Sequence, residues 1–171
     1  MQISKITLMK ITLIIASVLL ILLIVTLNRD PINGKIEIYN TYTGQILTPA
    51  DEGSDPSKIG LSIIKSGEDL TDFIKNIPEQ LPRKAPPYPE NTDPILKKPD
   101  IDFNEYMLIT IIRNYMHNPP EITEIKNQDG ETYVYYKLPE IDTFQAAGGW
   151  GTYSAVVIKK GEYDFVLKEL K

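Results

Sequence analysis

Three acidic side chains lie close together just before a long apolar run, and the only histidine follows that run. Carboxylate pairs can hydrolyse glycosidic bonds when they face each other across a cleft, and denser sets of oxygen donors bind calcium. Sequence spacing alone establishes neither arrangement, and charged residues are common at exposed strand ends. An enzymatic alternative, a hydrolase of a cell-surface polymer, would use Asp100, Asp102, Glu105 and His117.

The single histidine has few possible partners. The chain contains no cysteine and no second histidine, so a zinc site or a nucleophile–base pair cannot be completed from those residue types. A lone histidine still needs an oriented partner for acid–base work. We therefore expect no catalytic residue, no bound metal and no cofactor.

The most unusual local sequence is a glycine-rich stretch around the sole tryptophan. Glycines permit backbone geometries that other residues avoid, and a tryptophan held there can anchor a protein contact. The alternative is that the glycines form a bulge or turn into the next strand while the tryptophan caps the core. The predicted partner-binding residues are Gly148, Gly149, Trp150, Gly151 and Tyr153.

The charge of the chain limits its partners. All 23 Asp and Glu residues follow Asn28, whereas Lys5 and Lys10 precede it. The later part is therefore acidic, and it lacks the clustered basic residues that a nucleic-acid binder needs. With 42% hydrophobic and 24% charged residues, the composition is typical of a folded domain.

A continuous apolar segment precedes the acidic part. Residues 11–27 carry no charge and would span roughly 26 Å as a helix, close to the hydrocarbon core of a bilayer. A cleaved signal peptide is the rival interpretation, but its apolar region is usually shorter and small residues follow it. We expect an uncleaved, single-pass transmembrane signal anchor.

The charges flanking this segment predict its orientation. Lys5 and Lys10 precede it, whereas Arg29 and Asp30 nearly cancel after it, so the N-terminus is expected in the cytoplasm. The predicted organisation is a cytoplasmic N-terminus (1–10), a transmembrane anchor (11–27), a linker (28–33) and a soluble extracytoplasmic domain (34–171). The predicted location is the cell membrane.

Several segments of the soluble part have strand patterns. Alternation of polar and apolar residues predicts a strand over about 34–42, and a loop follows over 43–57. Short or continuous apolar runs predict strands at 59–64 and 106–113, the second covered on both faces. Two hairpins are predicted, one over 122–138 around Asp129-Gly130 and one over 152–170 around Gly161.

One helix and one irregular segment complete the pattern. Ser66 is a predicted N-cap, and Leu70, Phe73, Ile74 and Ile77 form one apolar stripe that Pro78 ends. Residues 78–99 contain seven prolines, which predicts an extended surface loop. The predicted fold class is α+β: an N-terminal transmembrane helix followed by a mostly antiparallel β-sheet domain with one main helix.

The order of these motifs resembles a known family. Ile63-Ile64-Lys65-Ser66-Gly67-Glu68-Asp69-Leu70, Asp102-Phe103 before a Met-Leu-Ile strand, and the run from Tyr153 to Lys160 are similar to the C-terminal domain of PrcB-type protease-complex subunits. The resemblance covers about residues 60–170. Where that family has a glycine-rich turn after the central strand, this chain has Met116-His117-Asn118-Pro119-Pro120.

The resemblance implies a binding role beside a protease. We expect a membrane-anchored, extracytoplasmic accessory subunit without chemistry of its own, whose partner is another extracytoplasmic protein, with a protease as one candidate. A cell-surface hydrolase and a purely structural envelope protein are the alternatives. Nucleic acid is not an expected partner.

Overall fold

Eight β-strands, one α-helix and one 3-10 helix make up the described part of the chain. The computed structural model describes residues 33–48, 59–81, 87–114, 118–140 and 149–170. The strands are β1 (Gly34–Ile36), β2 (Asn40–Leu47), β3 (Ile59–Ile64), β4 (Tyr106–Asn114), β5 (Glu121–Gln128), β6 (Glu131–Lys137), β7 (Trp150–Lys159) and β8 (Phe165–Glu169); the α-helix is α1 (Gly67–Ile74), and the 3-10 helix is Pro94–Lys97.

The strands form two four-stranded sheets. Sheet A has the order β1-β5-β6-β8, and sheet B has the order β2-β7-β4-β3. All neighbouring strands are antiparallel except β6 and β8, which are parallel. One face of sheet B packs on sheet A, and the other packs on α1 and the 3-10 helix.

The two central strands of sheet B are buried on both faces. Ile109 of β4 pairs with Val156 of β7, and most residues of both strands are buried. Helices cover one face and sheet A the other, and β4 is accordingly a nearly continuous apolar run, whereas β7 also buries Thr152 and Ser154. The prediction of a doubly covered central strand at 106–113 is confirmed.

The α-helix begins where the sequence predicts. Ser66 is the N-cap, and its Oγ accepts a 3.1 Å hydrogen bond from the backbone N–H of Asp69. Asp69 Oδ2 in turn accepts one from the N–H of Lys65, also at 3.1 Å. Leu70 and Phe73 point into the core, so α1 covers sheet B with its apolar stripe.

The hairpin around Asp129-Gly130 is also confirmed. β5 and β6 are antiparallel and are joined by these two residues alone. Both have positive φ, 55° for Asp129 and 87° for Gly130. Positive φ at both positions is the requirement of the tight turn whose twist matches a hairpin, and Asp-Gly meets it well.

The predicted fold class is wrong. The described residues are mostly β, in two sheets, and α1 has only eight residues. No helix in the described ranges is long and apolar enough to cross a membrane, so the transmembrane and signal-anchor prediction has no support there. Its residues, 11–27, lie outside the described residues, as do 1–10 and the linker up to residue 32.

Two strand predictions failed because the chain changes sheets. The predicted strand 34–42 is divided between β1 in sheet A and β2 in sheet B, and β2 continues to Leu47 into the predicted loop. The predicted hairpin 152–170 is absent, since β8 leaves β7 and pairs with β6. Phe165 and Leu167 of β8 pack into the core between the sheets, and this burial favours the crossing.

The proline-rich segment has more regular structure than predicted. Gln80 and Glu90 form an isolated antiparallel bridge, and residues 82–86 between them are outside the described ranges. The 3-10 helix follows, with Pro94 in its first turn and Ile95 fully buried. Proline suits a first helical turn because the missing N–H would have no partner there.

Candidate functional site

Two of the predicted partner-binding residues, Trp150 and Tyr153, lie on opposite faces of one strand. Gly148 is outside the described residues, and Gly149 precedes β7. Trp150 begins β7 and is partly exposed, whereas Tyr153 is fully buried. Successive strand residues point to opposite faces, so Trp150 faces the sheet A side and Tyr153 the helix side.

Gly151 allows close packing between strands. A Cβ atom there would lie 2.5 Å from the backbone oxygen of Arg113 and 2.9 Å from Cγ2 of Thr48. Real side chains do not approach so closely, so no larger residue fits without a shift of β4. Gly151 therefore lets β7 pack closely against β4 and against Thr48.

Tyr153 holds a buried carboxylate. Its hydroxyl lies 2.7 Å from both Oδ1 and Oδ2 of Asp93, and Oδ1 also accepts a 2.9 Å bond from the backbone N–H of Ile95. Asp93 is only 5% exposed. It is thus the N-cap of the 3-10 helix and ties this helix to the centre of sheet B.

Gly44 provides the space for this pair. It lies directly opposite Tyr153 in the β2–β7 register. A Cβ on Gly44 would come within 1.8 Å of Asp93 Oδ2 and 2.8 Å of Tyr153 Cε1. Phe73 of α1 packs edge-on against the Tyr153 ring, with centroids 5.1 Å apart. Helix, 3-10 helix and sheet therefore meet at one tyrosine.

Burial shapes the protonation of the pair. It raises the pKa of Asp93 above its ordinary value, while the hydrogen bonds from Tyr153 and from the Ile95 N–H act in the opposite direction. Burial, with a further contribution from Asp93, also strongly raises the pKa of Tyr153. The phenol therefore stays protonated and donates its hydrogen bond to Asp93.

A cleft of about 580 Å³ lies beside Asp93. Most of its lining is polar, and Glu79, Glu90 and Lys97 supply further charges. Nowhere in the described ranges do three His, Cys, Asp or Glu side chains come close enough to hold a metal ion. The lining residues are Glu79, Gln80, Tyr88, Glu90, Asn91, Asp93, Leu96 and Lys97.

The residues of the acidic alternative occupy a turn. Asp102 Oδ1 accepts hydrogen bonds from both the backbone and the side-chain amide of Asn104, each at 2.9 Å. Its carbonyl accepts from the N–H groups of Glu105 and Tyr106, a typical use of Asp at a turn. Asp100 and Glu105 are exposed, and His117 is outside the described residues.

An apolar pair that the sequence did not reveal lies beside the glycine-rich stretch. Leu47 is directly opposite Trp150 in the β2–β7 register and is 42% exposed. Neither side chain belongs to the two cores of the described residues. The sequence placed Leu47 in a loop, so the pairing had no visible signal. We call these two residues the Leu47–Trp150 patch.

Comparison with known proteins does not extend this picture, because no family model, curated protein or solved structure matches the chain.

Proposed function

We propose that residues 34–171 form a non-enzymatic protein-interaction domain that binds its partner through the Leu47–Trp150 patch. The observation that carries the proposal is the position of these two side chains. They face each other on neighbouring strands, at least partly exposed, and neither belongs to the two cores formed by the described residues. Covering exposed apolar surface of this kind with a partner is favourable, because it removes that surface from water.

The residue types favour a protein partner. Tryptophan is enriched among the few interface residues that dominate binding, and its truncation commonly costs about 2 kcal/mol or more. Thr48 lies next to the patch, where its N–H donates a 2.8 Å bond to Gly149 O. This bond fixes the backbone on which both side chains are carried, so little conformational entropy is lost on binding.

The partner that we propose is another extracytoplasmic protein. The resemblance to PrcB-type subunits makes a protease the first candidate, with this chain as its accessory subunit. A location outside the cytoplasm is itself a prediction. A reporter enzyme active only there, fused to the C-terminus, should be active, and a silent reporter on a well-expressed fusion would contradict it.

Site-specific photo-cross-linking tests the patch directly. A photoreactive amino acid replaces Leu47 at one end of β2. In a matched control it replaces Tyr39, which lies beside the other end of β2 and is 47% exposed. In the cells that express the chain, position 47 should give one adduct of defined mass and position 39 should not. Trp150→Ala should remove the adduct.

Two results would contradict the proposal. One is the absence of an adduct at position 47 from a folded, normally abundant protein. The other is an adduct at that position that Trp150→Ala leaves unchanged, since the tryptophan would then make no contribution to the contact.

A further inference from the structure

The face of sheet A that points away from sheet B carries two tyrosines. Val134 and Tyr136 of β6 belong to the core between the sheets, so the alternating Tyr133 and Tyr135 point outward. Both are partly exposed, and neither belongs to a core of the described residues. Their rings lie side by side, with centroids 6.1 Å apart and planes inclined by 37°. We call Tyr133 and Tyr135 the outer tyrosine pair.

Three lysines of neighbouring strands lie beside the outer tyrosine pair. In the register of sheet A, Lys126 of β5 is directly opposite Tyr133, and Lys35 of β1 is directly opposite Lys126. Lys168 of β8 is opposite Tyr135. Its Nζ is 5.1 Å from the ring centroid of Tyr133 and 5.8 Å from that of Tyr135, which is a cation–π arrangement. An ammonium group is thus held over both rings.

The acidic side chains of this face already have partners. Glu124 lies 3.7 Å from Nζ of Lys35, and Glu131 accepts a hydrogen bond from the hydroxyl of Tyr133. Among the described residues, the other two lysines form no ion pair. One of them, Lys126, lies opposite Lys35, and like charges directly opposite each other destabilise a pair of strands. An anionic ligand would relieve this repulsion.

The position of the tyrosines within the sheet indicates the class of ligand. β5 and β6 each have a strand on both sides, so their main-chain groups are largely paired already, and an extended peptide finds no strand edge there. The face instead offers aromatic rings, hydroxyl groups and ammonium groups. The C–H faces of sugar rings pack on aromatic faces, and ammonium groups attract carboxylates. A sugar polymer with acid groups therefore complements this surface.

We propose that the outward face of sheet A binds an acidic polysaccharide. Its sugar rings lie against Tyr133 and Tyr135, and Lys126 and Lys168 bind its carboxylates. This second surface shares no residue with the Leu47–Trp150 patch, so the inference goes beyond the proposed function and does not depend on it. Because salt screens charges on an exposed surface, binding should weaken as the salt concentration rises.

Oligomers of galacturonic acid test the proposal on the full chain, without knowledge of the natural polymer. Isothermal titration calorimetry should detect their binding. The matched control is the same oligomer with its carboxylates converted to methyl esters, which keeps the sugar rings and removes the charge, and it should bind roughly tenfold more weakly. Polyglutamate has carboxylates but no sugar rings, and it should also bind roughly tenfold more weakly.

Two pairs of variants locate the site. Lys126→Ala should weaken binding of the acidic oligomer roughly fivefold, whereas Lys75→Ala, at an exposed lysine paired with Asp72 just after α1, should leave binding unchanged. Tyr135→Ser should weaken binding by a similar factor, and its control is Tyr88→Ser, at a tyrosine that is 49% exposed. Thermal unfolding verifies that the variants are folded, and the comparison of ligands on the unaltered chain does not depend on them.

The proposal is overturned if the galacturonic acid oligomer does not bind or if its methyl ester binds equally well. It is also overturned if polyglutamate binds as tightly, since an acidic protein would then be the occupant, or if Lys126→Ala and Tyr135→Ser bind like the unaltered chain. Cross-linking at position 47 is independent of these results, so the interaction domain can stand while the polysaccharide site fails.

Discussion

Two pairs of residues on β2 and β7, only three positions apart, differ completely in surroundings. Gly44 and Tyr153 face the helix side, where Asp93 and α1 cover them; Leu47 and Trp150 face the other side and remain outside both cores. In both pairs an aromatic residue of β7 lies opposite a smaller residue of β2. The face of the sheet therefore decides whether such an aromatic residue stabilises the fold or is available for contact.

This difference predicts separate consequences of mutation. Changes at Gly44, Tyr153 and Asp93 should reduce stability, since Tyr153 and Asp93 are buried and hydrogen-bonded to each other and Gly44 leaves the space for them. Changes at Trp150 should reduce binding with little loss of stability.

The largest effect is expected for Gly44→Ala. The new Cβ would overlap Asp93 Oδ2, 1.8 Å away, so the buried pair must separate or the strand must move, at a cost of roughly 3 kcal/mol or more. The matched control is Gly34→Ala, where no atom lies within 4 Å and the change should stay within about 0.5 kcal/mol. Urea unfolding measures the stability of both variants. Equal stabilities would contradict the close packing around Gly44.

Tyr153→Phe should have the next largest effect. It removes the hydroxyl 2.7 Å from both oxygens of Asp93, leaving a buried carboxylate with one donor fewer, at a cost of about 1–3 kcal/mol. In the control Tyr42→Phe, the lost bond is to Asn40 in a partly buried place, and the cost should be smaller. The unfolding midpoint of Tyr153→Phe should therefore be lower than that of Tyr42→Phe.

The pH dependence of Asp93 should give a smaller effect. Burial raises its pKa above the ordinary 3.8, so folding favours the protonated form. The stabilisation is present below the unfolded pKa and is lost as pH rises through the folded pKa. Relative to Asp93→Asn, which cannot ionise, the wild-type chain should lose stability as the pH rises above the ordinary pKa of 3.8 and through the raised pKa of the folded state. If the free energy of unfolding of the wild-type chain, relative to that of Asp93→Asn, stayed constant or rose with pH, this prediction would be contradicted.

The smallest change in stability is expected for Trp150→Ala. Because Trp150 contributes to neither core, the free energy of unfolding should fall by less than about 1 kcal/mol. Phe73→Ala is the buried aromatic comparison and should cost about 3–5 kcal/mol. Similar losses in the two variants would show that Trp150 is a core residue after all.

Local features of the fold were predictable from the sequence. Ser66 and Asp69 cap α1 through bonds between near neighbours, and Asp129-Gly130 makes its turn through its own backbone angles. The apolar run of β4 likewise indicates double coverage. The assignment of strands to two sheets was not predictable, because β1 and β8 join sheet A through partners far along the chain.

The candidate site was predictable only in part. Trp150 and the glycines are conspicuous in the sequence, yet nothing there indicates that Trp150 and Tyr153 face opposite sides of a sheet until the strand is known to begin at Trp150. Asp93 lies in a proline-rich stretch predicted to be an exposed loop. Its burial depends on Gly44 and Tyr153, which are distant in sequence.

The most direct test compares Trp150→Ala with Tyr153→Phe for recovery of the partner identified by cross-linking at position 47. Equal amounts of folded protein are used, below the unfolding midpoint of either variant. The expected result is that Tyr153→Phe recovers as much partner as the wild-type chain although it is less stable, and that Trp150→Ala recovers almost none. Full recovery by Trp150→Ala, with loss in Tyr153→Phe, would contradict the account.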